Sequence, residues 1–525
     1  LNFFLAFSPI LLILALMLGL RWSASRAGSA GYLLAMLVAW EYFGATPEIL
    51  AFAHVRGFFL AVDVLLIIWA AFFFYRVTEE GGAIRTISLA LPHLTADKGW
   101  QALFLGWIFA SFLQGVGGFG VPVAVIAPIL IGLGFSPLIS VVIPSLGHGW
   151  AVTFGSMGSS FQALMSTTGL SAEVLAPVSA VFLGLASPIC GLMIAHAAGG
   201  WSEFRRLFWI VLLLGIAMGS VQFLMAVSGF WMIAAFTASL VGLLLSVIVV
   251  RMTGKKEVAD AHFVSQGIES AKFDPVSNKR MILLALSSYV ILILITLVFQ
   301  LIPALKQTLG GITFQLEFPS LTTGLGYTIP AGTSRGISLL RHTGFILGYA
   351  SLLTYLLYSK TKLYRPGSWK KILNGTVQRV LPSSISIVSM VTMAVIMDNS
   401  GMTETLAHGL AASTGAYFPL MSPWIGALGA FMTGSNTNSN VVFGLLQMKT
   451  AEVLRLSVFI ILAVQTSSAA LASILAPTKV VVGASTASMA GREGEIMRRL
   501  LIYTLPLIFL VGFLAYLAMR MVKLL

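Results

Sequence analysis

The hydrophobic pattern divides the chain into long apolar runs separated by short polar ones. Runs near the ~20 residues that a membrane-crossing helix needs lie at 3–20, 30–49, 57–75, 173–197, 205–225, 229–250, 281–303, 338–358, 381–399 and 501–521. Two longer regions are apolar but interrupted. In the first, 99–114 runs into QGVGGFG at 114–120, 121–134 returns, and 136–168 is broken at Pro144, Gly147, Gly149, Gly155 and Gly158. In the second, 422–434 runs into SNTNSN at 435–440, and 452–486 is interrupted by QTSS at 465–468, Pro477 and Gly483. Polar, non-helical backbone survives in hydrocarbon only where protein buries it or it lines a cavity. The pattern therefore predicts an all-α polytopic membrane protein with about 12–14 membrane segments. A re-entrant hairpin followed by a broken helix is expected at about 111–168 and again at about 422–486.

The two regions also repeat. A shift of 319 residues carries Gly82 onto Gly401, Thr86 onto Thr405, Leu91 onto Leu410, Phe112 onto Phe431 and Gly115 onto Gly434. An N-terminal half (1–250) and a C-terminal half (281–525) would flank a hydrophilic linker, 251–280. Lys360, Lys362, Arg365, Lys370, Lys371 and Arg379 have no acid among them, which assigns 360–379, and with it the linker, to the cytoplasm. Segments 81–97 and 401–414 read as interfacial, 304–337 as outer, and 492–499 as a charged loop before the last span. On this topology the two copies enter from opposite faces. Such inverted repeats, meeting at mid-membrane, are a frame for alternating access.

Composition narrows the class. The chain is 58% hydrophobic and 9% charged, against about 25% charged in soluble domains. The net charge of +13 sits in loops, with no basic domain for nucleic acid. Cys190 is alone, which excludes a disulfide framework and a Cys-based metal site. No Walker A motif is present, so transport would run on an ion or substrate gradient; no H-E-x-x-H or G-x-S-x-G suggests an enzyme. A channel would share the polar, glycine-lined interruptions. The first apolar run precedes Arg21 rather than following a basic segment, which reads as a retained span.

The interruptions carry the candidate chemistry. A hairpin tip or half-helix start presents unpaired backbone N–H groups and partial positive charge, which suits a carboxylate. Gly117, Gly118 and Gly120 would admit a ligand close to backbone. Ser435, Asn436, Thr437, Asn438 and Asn440 offer donors and acceptors for a hydroxyl or carbonyl, and Gln114 opens the first interruption. The expected ligand is a small, anionic, oxygen-rich solute. The competing expectation is that these groups only pack helices and bond across them. His148 could bind a hydroxyl or carry a proton, or simply pack. Lys479 could pair with a carboxylate or snorkel to the interface. Asp63 and Asp398 are membrane acids that could carry a coupling proton; the competing roles are a structural hydrogen bond and a helix cap. His54, His196, His342 and His408 have no partner pattern and read as structural. Arg335 and Arg341 could attract anions on the outer side or merely be solvated.

SFLQGVGGFGVPVAVIAPILIGLGFSPL (111–138), AVTFGSMG (151–158), NSGMTETLAHGLA (399–411), SPWIGALGAFMTGSNTNSNVVFGLLQ (422–447), APTKVVVGAS (476–485) and GREGEIMRR (491–499) together resemble the L-lactate permease family, across both halves and in order. The resemblance implies proton-coupled uptake of lactate, glycolate or a similar 2-hydroxymonocarboxylate across the cell membrane, with no other cofactor. It also implies inverted repeats with re-entrant hairpins and a homodimer. The family pattern has Glu where this chain has Gln114, Asp where it has Asn436, Asn where it has His148 and a small polar residue where it has Lys479. Each change makes the site less negative. That opens two expectations: coupling by another group or by sodium, and a substrate with a second acidic group, such as a sulfonate or dicarboxylate.

Overall fold

The structure is a computed structural model that describes residues 2–522 apart from 119, 254–278, 303–304, 306–307, 309–310, 335 and 339. Most of the expected linker 251–280, and Arg335, lie outside the described residues. Among the described residues, nine helices are long and apolar enough to cross a membrane. One of them, Ala172–Val227, is two segments joined at a sharp kink, where Gly199 and Gly200 leave helical geometry and Gly200 adopts φ +70°.

Several element bounds recur at the same interval. The 319-residue shift carries Ala24–Tyr42 onto Thr343–Lys360, Pro47–Glu80 onto Ser368–Asn399, and Ala83–Ala90 onto Met402–Thr414. Gly82 and Gly401 open the last two at matching left-handed angles, φ +77° and +81°, a conformation that glycine alone adopts without steric cost. The long helices Pro47–Glu80 and Ser368–Asn399 pack along their length. At one end Ser368 Oγ donates to Glu80 Oε1 (3.0 Å) and Arg76 reaches the Lys371 carbonyl (3.5 Å). At the other end Arg56 donates to Asn399 Oδ1 (3.4 Å). These two long helices thus run antiparallel.

Each copy then forms a helical hairpin. The first has arms 98–116 and Val121–Gly132. Its base is closed by Lys98, which donates to the Gly134 carbonyl (3.2 Å), and by a bidentate Asp97–Arg206 pair (2.6 and 2.7 Å). Hydrogen bonds from that guanidinium hold the Asp97 carboxyl below the usual carboxylate range. The second hairpin has arms Phe418–Thr433 and Asn436–Val453, and its base is tied to the end of Ser368–Asn399 by Lys449–Asp398 (2.6 Å). The hairpins therefore open toward opposite ends of the antiparallel pair, and Arg76, Lys370 and Lys371 mark the end of the first as cytoplasmic.

Three expectations change. Helix Val458–Ala472 runs straight through 465–468, and its break falls at 473–476 instead. Gln465 finds partners in Ser439 Oγ (3.0 Å) and Gln447, so its polarity does not break the helix. The charged segment 492–499 is the start of helix Glu493–Val522 rather than a loop. Segment 304–337 contributes short antiparallel pairs to a ribbon, with Thr313–Phe314, Glu317–Phe318 and Leu321–Thr322 facing Ile337–Ser338, Gly332–Thr333 and Thr328–Ile329.

Candidate functional site

The second hairpin tip is smaller than the polar run suggests. Only Gly434 (φ +71°) and Ser435 leave the helix. Ser435 caps the second arm by accepting from Asn438 N (3.3 Å), and Asn436, Thr437, Asn438 and Asn440 lie on its first turns. The backbone can stay helical because the side chains find partners across the interface. Asn436 Nδ2 donates to Thr153 Oγ1 (3.1 Å), and Thr437 Oγ1 bonds Ser160 Oγ (3.0 Å). Asn440 Nδ2 donates to the Ser160 carbonyl and Thr466 Oγ1 (both 2.9 Å), and Asn438 Nδ2 to Ser386 Oγ (3.0 Å). Asn436 Oδ1 and Asn438 Oδ1 are buried without a hydrogen-bond partner among the described residues. Left unmet, such a group costs about 1–3 kcal/mol, so these oxygens are open to a donor.

The first tip faces the break in the first broken helix, Pro137–Thr168. Gly118 N donates to Ser156 Oγ (2.7 Å). Ser156 and Met157 hold left-handed angles, φ +46° and +55°, a strained pair of the kind that clusters at functional sites. The glycines here divide. A Cβ on Gly117 would lie 2.8 Å from the Tyr75 ring, and one on Gly118 would lie 2.4 Å from Ser156 Oγ. Both are packed against protein. Gly120 is open, with Val482 Cγ1 the nearest atom at 3.8 Å. Gln114 is buried beside Gly118 and Gly155, and its Oε1 is unpartnered among the described residues.

His148 lies at the other end of the same break, with Lys479 nearby. His148 is fully buried, and its Nδ1 lies 2.6 Å from the Pro144 carbonyl. That acceptor keeps the proton on Nδ1, so the buried, unpartnered Nε2 presents a lone pair. Lys479 sits on the first turn of Pro477–Thr486, within electrostatic reach of His148. It does not snorkel. Its side chain is buried, and Nζ donates to Ser473 Oγ at 2.9 Å with no carboxylate partner among the described residues. Thr478, its neighbour, packs against Gly434. Four half-helix starts, at Val121, Ser159, Asn436 and Pro477, thus gather around one polar region, each directing partial positive charge inward.

The two acids part company. Asp398 is at the outer end, paired with Lys449, and does not join this region. Asp63 is buried one step beyond it. Its carboxylate accepts from His342 Nε2 (2.9 Å), Gln162 Nε2 (2.5 Å) and Ser166 Oγ. Gln162 and Ser166 share the helix Ser159–Thr168 with Ser160, so that helix links Asp63 to the second tip. Nothing in the sequence singles out Thr153, Ser160 or His342, and Thr466 is visible only as part of QTSS. The repeat alone holds a signal: the 319-residue shift carries Ser160 onto Lys479 and His148 onto Ser467, whose buried Oγ is also unpartnered among the described residues.

A family profile described as L-lactate permease matches residues 2–522. The chain belongs to the L-lactate permease family. Relatives include the L-lactate permease of Streptococcus iniae, 28% identical over 459 residues, covering 86% of this chain and 91% of the relative. They also include the L-lactate permease of Bacillus subtilis (strain 168), 26% identical over 530 residues (95% and 92%). A third is the glycolate permease GlcA of Escherichia coli (strain K12), 26% identical over 514 residues (94% and 91%). Among solved structures, the YdaH transporter of Alcanivorax borkumensis matches at a TM-score of 0.45 and 14% identity, covering 87% of this chain and 85% of that one. Membership of the permease family makes the chain a multi-pass membrane transporter and not an enzyme.

Proposed function

We propose that this permease moves L-lactate, glycolate or a similar small 2-hydroxymonocarboxylate across the plasma membrane together with a proton, by alternating access. The observation that carries the reading is Lys479, a buried side chain whose ammonium has no carboxylate partner among the described residues. A buried cation needs an anion or a dense set of acceptors, and a substrate carboxylate supplies one. The unpartnered Nε2 of His148 can accept the 2-hydroxyl, and the N–H groups starting at Asn436 can share the carboxylate charge. The anchoring groups lie between two hairpins that open to opposite ends of the molecule, which supports alternating access through inverted repeats. Asp63, hydrogen-bonded to His342 and to the helix that carries Ser160, is the acid proposed to take the coupling proton.

The test is uptake of labelled L-lactate into proteoliposomes under an imposed proton gradient, a sodium gradient, or neither. Accumulation driven by the proton gradient is expected. Sodium-driven accumulation, or equilibration alone, would overturn proton coupling while keeping the substrate. Lys479→Gln should lower uptake efficiency roughly 100-fold, since truncating one partner of a buried charge pair costs about 2–5 kcal/mol. Lys479→Arg should restore part of it. The neutral side chains of Gln114 and Asn436, together with the cation Lys479, favour a second reading, an anion with an additional acidic group. Competition by dicarboxylates and sulfonates decides it: monocarboxylates competing best would rule it out.

A further inference from the structure

A cavity lies at the outer end, well away from the hairpin tips. Its volume is ≈ 250 Å³, room for about eight waters at ~30 Å³ each, or for one small organic anion with part of its hydration. Three parts of the fold enclose it. The ribbon contributes residues from Phe318 to Thr333 as a roof, the long helices contribute Phe52, Arg56, Asp398 and Asn399, and the second hairpin contributes Lys449. The roof is fixed at two points: Gly324 N donates to the Gly44 carbonyl (2.7 Å), and Lys449 Nζ donates to Tyr327 Oη (3.3 Å).

The charges on this wall do not balance. Lys449 is neutralised by Asp398 at 2.6 Å. Arg56 has no carboxylate within ion-pair distance among the described residues; its hydrogen bond is the 3.4 Å contact to the Asn399 amide oxygen. Glu317, on the ribbon, and Glu404, near Tyr327, lie outside the cavity lining. The lining therefore carries two cations and one acid, and the surplus charge is a half-buried guanidinium with most of its five donors unused. Phe52 and Phe318 meet edge-to-face (6.3 Å) beside it and give an apolar wall. A fork of donors next to an apolar wall matches a small carboxylate with a short hydrocarbon part. From Asn436 to Lys449 the second arm rises about 20 Å, so this place is distinct from the tip region.

We propose that the ribbon-roofed cavity is an outer carboxylate-binding station, where Arg56 captures the substrate anion before it reaches the hairpin tips. The proposal rests on the reading of the chain as a monocarboxylate permease. It gives the ribbon a role, roofing a site that the helices alone would leave open to solvent. It also gives Lys449–Asp398 one: the pair holds the second hairpin's base against the station's floor without adding net charge.

The experiment has two arms on the full-length protein in proteoliposomes. In the first, phenylglyoxal modification of Arg56 is followed by mass spectrometry with L-lactate, acetate, or the uncharged lactamide. Lactate and acetate should slow the modification and lactamide should not; equal modification in all three overturns the station. In the second, the concentration dependence of lactate uptake is compared for wild type, Arg56→Lys and Arg56→Gln. Arg56→Gln should raise KM roughly ten-fold, about 1.4 kcal/mol, with little change in Vmax, and Arg56→Lys should fall between. A well-folded Arg56→Gln protein, matched to wild type by chromatographic profile and melting temperature, with wild-type KM overturns the capture role. If wild type does not take up lactate at all, the proposed substrate fails, and the protection arm with acetate still decides whether Arg56 holds a carboxylate.

Discussion

At the scale of single residues, Asp63 makes the sharpest distinction between a structural and a coupling role. Its buried carboxylate accepts from three side chains, His342, Gln162 and Ser166. His342 Nδ1 accepts from Gly344 N (3.2 Å), so Nε2 carries the proton that faces Asp63 even in the neutral ring. Asp63→Ala strands all three donors and should destabilise the protein by about 3–5 kcal/mol, the scale of a broken buried pair. Asp63→Asn keeps much of the shape and bonding but cannot exchange a proton. It should abolish proton-driven accumulation of lactate while leaving lactate–lactate exchange across the vesicle membrane near wild type. Accumulation by Asp63→Asn would remove Asp63 from coupling. The sequence made Asp63 visible, because an acid in an apolar run stands out. It did not make His342 visible, because a histidine at the edge of a span looks the same whether it caps a helix or faces a buried acid 279 positions away.

At the scale of elements, apolar run length located most spans, and glycines marked both tips, because a left-handed turn between helix arms leaves few alternatives. Polarity was the weaker guide. QTSS at 465–468 looked like an interruption and is helical, since its side chains bond to the second hairpin. The ribbon is not legible in the sequence, because pairs of two-residue strands have no sustained alternation to detect. Glycine positions separate packing from conformation, and two substitutions test that. At Gly147 a Cβ would fall 1.8 Å from the Gly106 carbonyl oxygen, so backbone must move. Gly147→Ala should cost about 3 kcal/mol, the upper end of overpacking penalties, and lower the melting temperature in detergent by several degrees. Gly120 has φ +87° but open space around it. Gly120→Ala should cost only the left-handed strain, about 1–2 kcal/mol. Equal melting temperatures for the two variants would contradict this packing.

At the scale of the whole molecule, the antiparallel long helices and their partners Ala24–Tyr42 and Thr343–Lys360 form a frame, and the hairpins and broken helices form the part that carries the polar groups. Within the frame, Ser29 Oγ lies 3.1 Å from Ser389 Oγ. At the second tip, Thr437 Oγ1 lies 3.0 Å from Ser160 Oγ. In both pairs the contacting atoms sit directly on Cβ, so cysteines there can reach disulfide geometry with little movement. Cys190 is buried and can be replaced by Ala in both variants without leaving another thiol. On the proposed alternating-access cycle the second hairpin is the outer gate, and the Thr437–Ser160 contact at its tip is the one that opening would part. Oxidised Ser160→Cys/Thr437→Cys should therefore lose lactate uptake, at least about ten-fold, and recover it on reduction; the reduced form controls for the lost hydroxyls. Oxidised Ser29→Cys/Ser389→Cys should transport like its reduced form, because it staples two helices that stay together. Transport by the tip-linked protein would mean that the second hairpin does not open as a gate, and loss of transport in the frame-linked protein would mean that the frame itself bends during the cycle.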